Sequence, residues 1–203
     1  MIKSTFTNLP DAKKQRVTDA IINEFAAENT SRVSINNIIE QANISRGSFY
    51  QYFDDKMDLV EVVLHHYAAQ CASEISKVME LSRGDIFYTY EECLSIIADI
   101  GKKPKDRAVF RKIFTGLHDS DSVVSEYISK RYHGLEEFNE LRQRLSRKNL
   151  KSQDDEFFFT VNDVLMTVLK NSVRKYFLAN ADFEAEKKKY LKKIDIIKSG
   201  AVA

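Results

Sequence analysis

The chain has 203 residues, of which 43% are hydrophobic, and its 31 basic and 30 acidic side chains leave a net charge of +1. This length predicts two structural units with a substantial core, and the balanced charge excludes a protein that coats nucleic acid without specificity, so any DNA binding must come from a local patch. The sequence has no signal-like start and no run of about 18 apolar residues, so we expect a cytoplasmic protein without a membrane span.

The sequence pattern is helical along the whole chain. Only two prolines and six glycines interrupt it, and no strand-like alternation is present, which predicts an all-α fold. The residues that typically begin and end helices predict about nine of them, at residues 10–29, 35–42, 45–53, 55–81, 86–100, 107–117, 122–148, 154–178 and 182–198. The fourth helix is placed to connect the two units. The eighth is apolar on nearly all sides, which predicts burial on nearly all sides.

Residues 34–53 are typical of two short helices joined by a tight turn. Ser34 can cap the first helix and Ser45 the second, because a serine hydroxyl accepts a hydrogen bond from the backbone at a helix start. The apolar side chains that can hold the second helix down are Phe49, Tyr52 and Phe53. Its other face is mainly polar and carries Arg46, Gly47, Ser48, Tyr50 and Gln51. A helix that is anchored on one side and polar on the other can read the major groove of DNA.

The remaining reactive side chains form no recognisable site. Cys71 and Cys93 are far apart in sequence, and we interpret both as small core residues, with a redox sensor as the alternative. His65 and His66 are adjacent, so they cannot share a helical face as a pair of metal ligands. No Ser-His-Asp arrangement, glycine-rich phosphate loop or paired metal-ligand motif occurs, so we expect neither an enzyme nor a cofactor or metal.

The region around the helix pair resembles the DNA-binding domain of the tetracycline-repressor (TetR) family of bacterial transcription regulators. The resemblance covers about residues 9–64. It is carried by Phe25, Ser34, Ala42, Ile44, the run 45–53, Lys56 and Leu59. It implies a three-helix helix-turn-helix domain, residues 1–56, joined through the long fourth helix to a helical regulatory and dimerisation domain, residues 57–203.

Specific side chains are predicted to contact an operator in double-stranded DNA. Arg46 can donate two hydrogen bonds to a guanine, Gly47 allows close approach of the backbone, and Ser48 can donate or accept. The resemblance implies that Tyr50, Tyr52 and Lys56 contact phosphates. The full set of candidates is Ser34, Asn36, Asn37, Ser45, Arg46, Gly47, Ser48, Tyr50, Gln51, Tyr52 and Lys56. The alternatives are a packing role for the glycine, a core role for Tyr52 and a solvated charge for the lysine.

The C-terminal helices are predicted to form a homodimer and to bind an effector. The helices at residues 154–178 and 182–198 can pair with the same helices of a second copy related by a two-fold axis. The resemblance implies a dimer at the same place. The alternative is that residues 154–178 form the central core helix of a monomer. The candidate residues for a small-molecule effector, each of which could instead be core, are Tyr67, Tyr90, Phe110, Phe114, His118, Tyr127, Phe158, Asn162 and Met166. The functional hypothesis is a repressor released by that effector. The alternative is an activator, or a regulator controlled by a protein partner.

Overall fold

The computed structural model describes residues 2–28, 32–116, 136–179 and 181–202. Within these ranges the chain is helical, with two isolated backbone bridges and no sheet, which confirms the all-α class. The described helices are α1 (Ser4–Thr7), α2 (Asp11–Ala27), α3 (Ile35–Ala42), α4 (Arg46–Tyr52), α5 (Lys56–Ser82), α6 (Ile86–Ile100), α7 (Pro104–Gly116), α8 (Glu136–Gln143), α9 (Asp155–Leu178) and α10 (Phe183–Ala201).

Four helices differ from the prediction by three residues or more, and one of them, α10, ends at Ala201 rather than at 198. The four-residue α1 was not expected, because it is too short to show a helical period. Helix α7 starts at Pro104 rather than at residue 107, since a proline is accommodated in the first turn, where its missing N–H is not needed. Helix α8 ends at Gln143 rather than at 148. The first part of the predicted helix 122–148, which includes the effector candidate Tyr127, lies outside the described residues, and so does the effector candidate His118.

The chain packs into two compact units. The first unit is Met1–Ala68 with Lys103–Leu135, and the second is Ala69–Lys102 with Glu136–Ala203. Helix α5 runs from the first unit into the second. These units are defined by packing, so the functional boundary predicted after residue 56 stays a prediction.

The first unit has its core where the helical periodicity places it. Val17, Ile21 and Phe25 on α2 are all buried, as their four-residue spacing predicts. Helix α2 packs against α3 and also against α7. The N-terminal helices therefore share their packing with a helix that lies far along the sequence.

The second unit is built from α6, α9 and α10, which pack on one another. Tyr190 is fully buried and donates its hydroxyl to the carbonyl oxygen of Tyr90, whose own hydroxyl donates to Oδ1 of Asn162 at 2.9 Å. Helix α9 is not buried on nearly all sides within the protomer: Phe159 is 45% exposed and Val164 is 41% exposed. The reason is that only one stripe of α9 faces α6 and α10.

A sharp turn between α5 and α6 depends on glycine. Gly84 has φ of +78°, and a Cβ atom there would lie 2.6 Å from the carbonyl oxygen of Arg144. The carbonyl of Gly84 accepts a hydrogen bond of 2.7 Å from the backbone N–H of Ser146. The turn therefore has no room for any other residue. As to membranes, no helix within the described ranges has the length and apolar character that a span requires.

Candidate nucleic-acid interface

The start of α3 is fixed by a serine cap and by a buried carboxylate. The Ser34 hydroxyl accepts the backbone N–H of Asn37 at 3.3 Å, as the sequence predicts for a cap. Glu24, on α2, is only 3% exposed and accepts the backbone N–H of Ser34 at 2.9 Å. A negatively charged carboxylate at this end also interacts favourably with the positive end of the helix dipole. The two contacts hold the first helix of the pair in a defined direction.

The turn between α3 and α4 is equally well defined. Asn43 adopts the left-handed conformation, with φ of 49°, and ends α3. The side chain of Arg16, on α2, donates from Nε to the carbonyl of Ala42 at 3.1 Å. Ser45 then caps α4 by accepting the backbone N–H of Ser48 at 3.0 Å. Both predicted serine caps are present.

The inner face of α4 is aromatic. Phe49 and Phe53 are fully buried, with ring centroids 5.2 Å apart, and Phe6 from α1 packs on Phe53 at 4.9 Å. The Lys3 side chain donates to the carbonyl of Tyr50 at 2.8 Å, and the Thr5 hydroxyl to that of Gln51. The sequence analysis did not predict these N-terminal contacts, because the first nine residues show no periodic pattern. They support the end of α4 from behind.

The outer face of α4 is available to a ligand. Arg46, Gly47 and Gln51 are exposed, Tyr50 is 44% exposed and Ser48 is half-buried. A Cβ atom at residue 47 would meet only the Ser45 hydroxyl, at 3.8 Å, so packing within the chain does not require glycine at this position. The alternative role of Gly47, as an accommodation to packing, therefore has no support in the structure.

Three of the predicted residues come together at one end of this face. Arg46 donates from a terminal nitrogen to Oδ1 of Asn36 at 3.4 Å, and its guanidinium carbon lies 6.0 Å from the centre of the Tyr50 ring. The guanidinium is thus oriented by α3 and by its own helix while it stays exposed. An exposed, oriented guanidinium can make the paired hydrogen bonds that recognise a guanine.

The predicted phosphate-contacting residues lie in different surroundings. Tyr52 is 5% exposed, and its ring lies under the Lys13 ammonium at 5.7 Å. Lys56 is half-buried at the first position of α5. The ring of Tyr52 therefore belongs to the core, as the alternative interpretation had it, and a contact of its hydroxyl with phosphate stays a prediction.

Two family models match the sequence. "Bacterial regulatory proteins, tetR family" covers residues 17–63, and "Tetracyclin repressor-like, C-terminal domain" covers residues 85–201, which is more than half of the chain. The chain belongs to the TetR family. The predicted resemblance is confirmed, and the protein is a TetR-family transcription regulator; the family is one of regulators and not of enzymes.

Solved structures of TetR-family proteins share the fold. One from Syntrophomonas wolfei has a TM-score of 0.65 at 17% identity, with 93% of this chain and 95% of that chain covered. One from Mesorhizobium loti has a TM-score of 0.64 at 14% identity, with 95% of this chain and 98% of that chain covered. One from Streptomyces coelicolor has a TM-score of 0.62 at 14% identity, with 93% of this chain and 81% of that chain covered. The comparison with curated proteins gave no match.

The predicted effector residues of this TetR-family chain fall into two groups. In the first unit, Tyr67 donates its hydroxyl to Asp106 at 2.7 Å, and its ring lies 4.9 Å from that of Phe110, which in turn lies 6.2 Å from Phe114. In the second unit, the Tyr90 hydroxyl donates to Asn162, as described above. Phe158 is buried in that unit and Met166 is half-buried.

A small cavity lies in the first unit and contains none of the predicted effector residues. Its volume is about 10 Å³, enough for one water molecule. It is lined by Phe25, Val60, Val63, Leu64, Val109, Lys112 and Ile113. The Lys112 ammonium also donates to three carbonyls at the end of α2: those of Phe25 at 2.7 Å, Ala26 at 2.8 Å and Glu28 at 2.8 Å.

The two cysteines are core residues. Cys71 and Cys93 are both buried and unbonded to each other, and burial raises the pKa of each thiol to about 12. A thiol with this pKa is protonated at neutral pH and unreactive. The core interpretation is therefore favoured over a redox sensor. In the ranges that the structure describes, no cluster of three potential metal ligands occurs.

Proposed function

We propose that this TetR-family protein is a homodimeric repressor that binds a pseudo-palindromic operator in the cytoplasm and is released from it by a small-molecule effector. The observation that carries the DNA-binding part is the outer face of α4: it is polar and exposed, while the aromatic face behind it is fully buried. Such a helix can enter the major groove without a change in the fold.

The contacts follow from the geometry of this face. Arg46 reads a base, the bare backbone at Gly47 approaches the groove edge, and Ser48 adds a further polar contact. Tyr50 and Lys56 bind phosphates and set the register. Residues 1–56 carry seven basic and seven acidic side chains. Non-specific affinity is then low, so useful affinity depends on these few contacts, doubled by dimerisation.

The apolar side chains that α9 and α10 leave exposed support the homodimer. Phe159 and Val164 on α9 and Ile196 on α10, which is 64% exposed, gain burial when these helices pair with their two-fold mates as a four-helix interface. Two recognition helices in such a dimer are expected about 34–36 Å apart, one turn of B-DNA.

The effector acts by favouring one of two arrangements of the protein, because a ligand that binds both equally shifts nothing. Helix α5 belongs to both units and is the element through which such a shift reaches the N-terminal helices. A coupling of about 1–3 kcal/mol is typical of such a response.

Selection of bound duplexes from a random pool tests the DNA-binding proposal. The expected result is an inverted repeat whose half-sites are centred one helical turn apart. Arg46→Ala is expected to relax one position of each half-site, whereas Lys102→Ala, which removes an exposed charge from the turn after α6, serves as the matched control. Failure of the wild-type protein to enrich any sequence would reject the proposal.

Sedimentation tests the dimer. Phe159→Ser is expected to shift the protein towards a monomer, while Leu81→Ser removes an exposed apolar side chain outside the proposed interface and is expected to leave the dimer intact. A wild-type monomer at micromolar concentration would decide for the alternative, a central core helix in a monomer.

The effector is tested by operator release and thermal shift with apolar, cationic and acyl compounds. One class is expected to raise the melting temperature and to release the duplex. No response from any class, together with capture of a specific protein partner, would favour the protein-controlled regulator instead.

A further inference from the structure

The buried carboxylate of Glu24 determines which end of the Asn37 amide faces inward. Glu24 contacts the Asn37 Nδ2 atom with both oxygens, Oε1 at 3.4 Å and Oε2 at 3.2 Å. A carboxylate has only acceptors to offer, so the NH₂ group of the asparagine must be the end that faces it. The carbonyl oxygen of Asn37 is then directed to the other side.

Asn37 itself is exposed, so this carbonyl oxygen is available to a ligand. Within the part of the chain that the structure describes, no group donates a hydrogen bond to it. The asparagine therefore offers an acceptor at the start of α3. An acceptor is repelled by phosphate oxygens, but it can bind an amino group of a base.

The neighbouring Asn36 has the opposite polarity. Its Oδ1 atom accepts a hydrogen bond from the guanidinium of Arg46, which has only donors. Its NH₂ group is thus the end left for a ligand, and a donor of this kind suits a phosphate oxygen. Two adjacent and chemically identical side chains are held in opposite orientations by partners of opposite charge.

We propose that Glu24 is a positioning residue for DNA specificity: by holding the NH₂ group of Asn37, it makes this residue select a base with a major-groove amino group, adenine or cytosine. This inference rests on the proposed DNA-binding function and deepens it. Asn36, by contrast, contacts the phosphate backbone and carries no base preference.

The sharpest test is Glu24→Gln, which keeps size and shape. The carbonyl of the introduced glutamine is needed by the Ser34 N–H, so its NH₂ group turns towards Asn37, and the Asn37 amide must reverse to accept from it. The variant and the wild-type protein are each put through duplex selection. The expected result is a change at one position of each half-site from adenine or cytosine to guanine or thymine on the contacted strand, with all other positions unchanged.

Two further variants keep the test decisive if Glu24→Gln unfolds, which circular dichroism would show. Asn37→Ala is expected to lose about fivefold discrimination at that same position, the usual effect of a single hydrogen bond. Asn36→Ala, its matched control, is expected to weaken binding and to leave the preference at that position unchanged.

The inference is overturned if a folded Glu24→Gln protein selects the wild-type sequence at every position, or if Asn37→Ala keeps every preference. Either result would leave the proposed DNA-binding function intact. By contrast, a wild-type protein that enriches no sequence would reject the proposed function, and this inference with it.

Discussion

The two compact units hold their helices by different means. In the first unit, charged side chains reach the ends of helices: Glu24 binds the start of α3, Arg16 its end, and Lys112 the end of α2. In the second unit, the charged side chains at helix ends lie in loops, as Asp154 and Asp182 do at the starts of α9 and α10, and the long helices pack on one another through apolar side chains.

The difference corresponds to what each unit has to do. A hydrogen bond to a helix end fixes the direction of that helix, which matters where exposed side chains have to meet a rigid ligand such as DNA. Apolar packing is not directional and stabilises in proportion to the area that is buried. The first unit thus adds hydrogen bonds from one helix to the end of another, whereas the second unit joins its long helices by apolar packing. Substitutions of each kind of contact should separate these roles.

The largest effect is expected from Phe177→Ala in the second unit. Phe177 is fully buried on α9, and its truncation should lower the free energy of unfolding by about 3–5 kcal/mol through lost burial and a cavity. Urea unfolding measures this. Leu81→Ala, which changes a residue that is 81% exposed, is the control and should change little. A loss of under about 1 kcal/mol for Phe177→Ala would contradict the burial role of this unit.

Gly84→Ala should destabilise by about 2–3 kcal/mol, because the positive φ and the close carbonyl of Arg144 both oppose a side chain. The matched control is Gly200→Ala: this glycine lies near the end of α10 with no atom within 4 Å of an added Cβ. Alanine there should be neutral or stabilising by up to about 1 kcal/mol. Equal effects of the two changes in thermal unfolding would show that the turn does not need glycine.

Arg46→Ala should cost about 1–3 kcal/mol of operator binding free energy and relax base preference, with little change in stability. Lys56→Ala should weaken binding to all duplexes alike and reduce the salt dependence of binding. Fluorescence anisotropy on operator and on random duplex, at several salt concentrations, distinguishes the two. An equal loss on both duplexes for Arg46→Ala would reject its base-reading role.

Lys112→Met keeps the aliphatic stem and removes the ammonium group from three carbonyls. We expect the free energy of unfolding to fall by about 1–2 kcal/mol. This loss is smaller than that for a fully buried charged hydrogen bond, because the Lys112 side chain is only partly buried and solvent screens its charge. Operator affinity should fall as well, since α2 supports α3. Unchanged stability in urea would mean that these hydrogen bonds do not contribute.

The smallest effect is expected for the thiols. Because burial raises the pKa of Cys71 and Cys93 to about 12, both stay protonated at pH 8, and iodoacetamide should modify neither in the folded protein. Both should react once urea unfolds the chain, where their pKa returns to its ordinary value. Mass spectrometry counts the modified thiols. Rapid labelling of the folded protein would revive the redox alternative.

Local contacts were predicted well from the sequence. The serine caps at residues 34 and 45 and the aromatic face of α4 depend on residues within one helical turn of each other, so spacing along the chain reveals them. The exposed polar face of α4 follows from the same spacing.

Contacts between distant residues could not be predicted. Nothing in the sequence shows that Phe6 completes the support of α4, or that Lys112 reaches carbonyls more than 80 positions away. The burial of Glu24 is the strongest example, because a carboxylate on a helix is usually solvated, and its hydrogen bonds with Ser34 and Asn37 account for its position.

The open space around Gly47 has a consequence for how this regulator could acquire new targets. Since a Cβ atom at that position would meet only the Ser45 hydroxyl at 3.8 Å, a substitution there is expected to change the proposed fit to the groove and to leave the stability of the fold almost unchanged. Many different side chains are therefore expected to be tolerated at residue 47 without loss of the fold. This position is the first one to vary when the regulator is to be redirected to a different promoter.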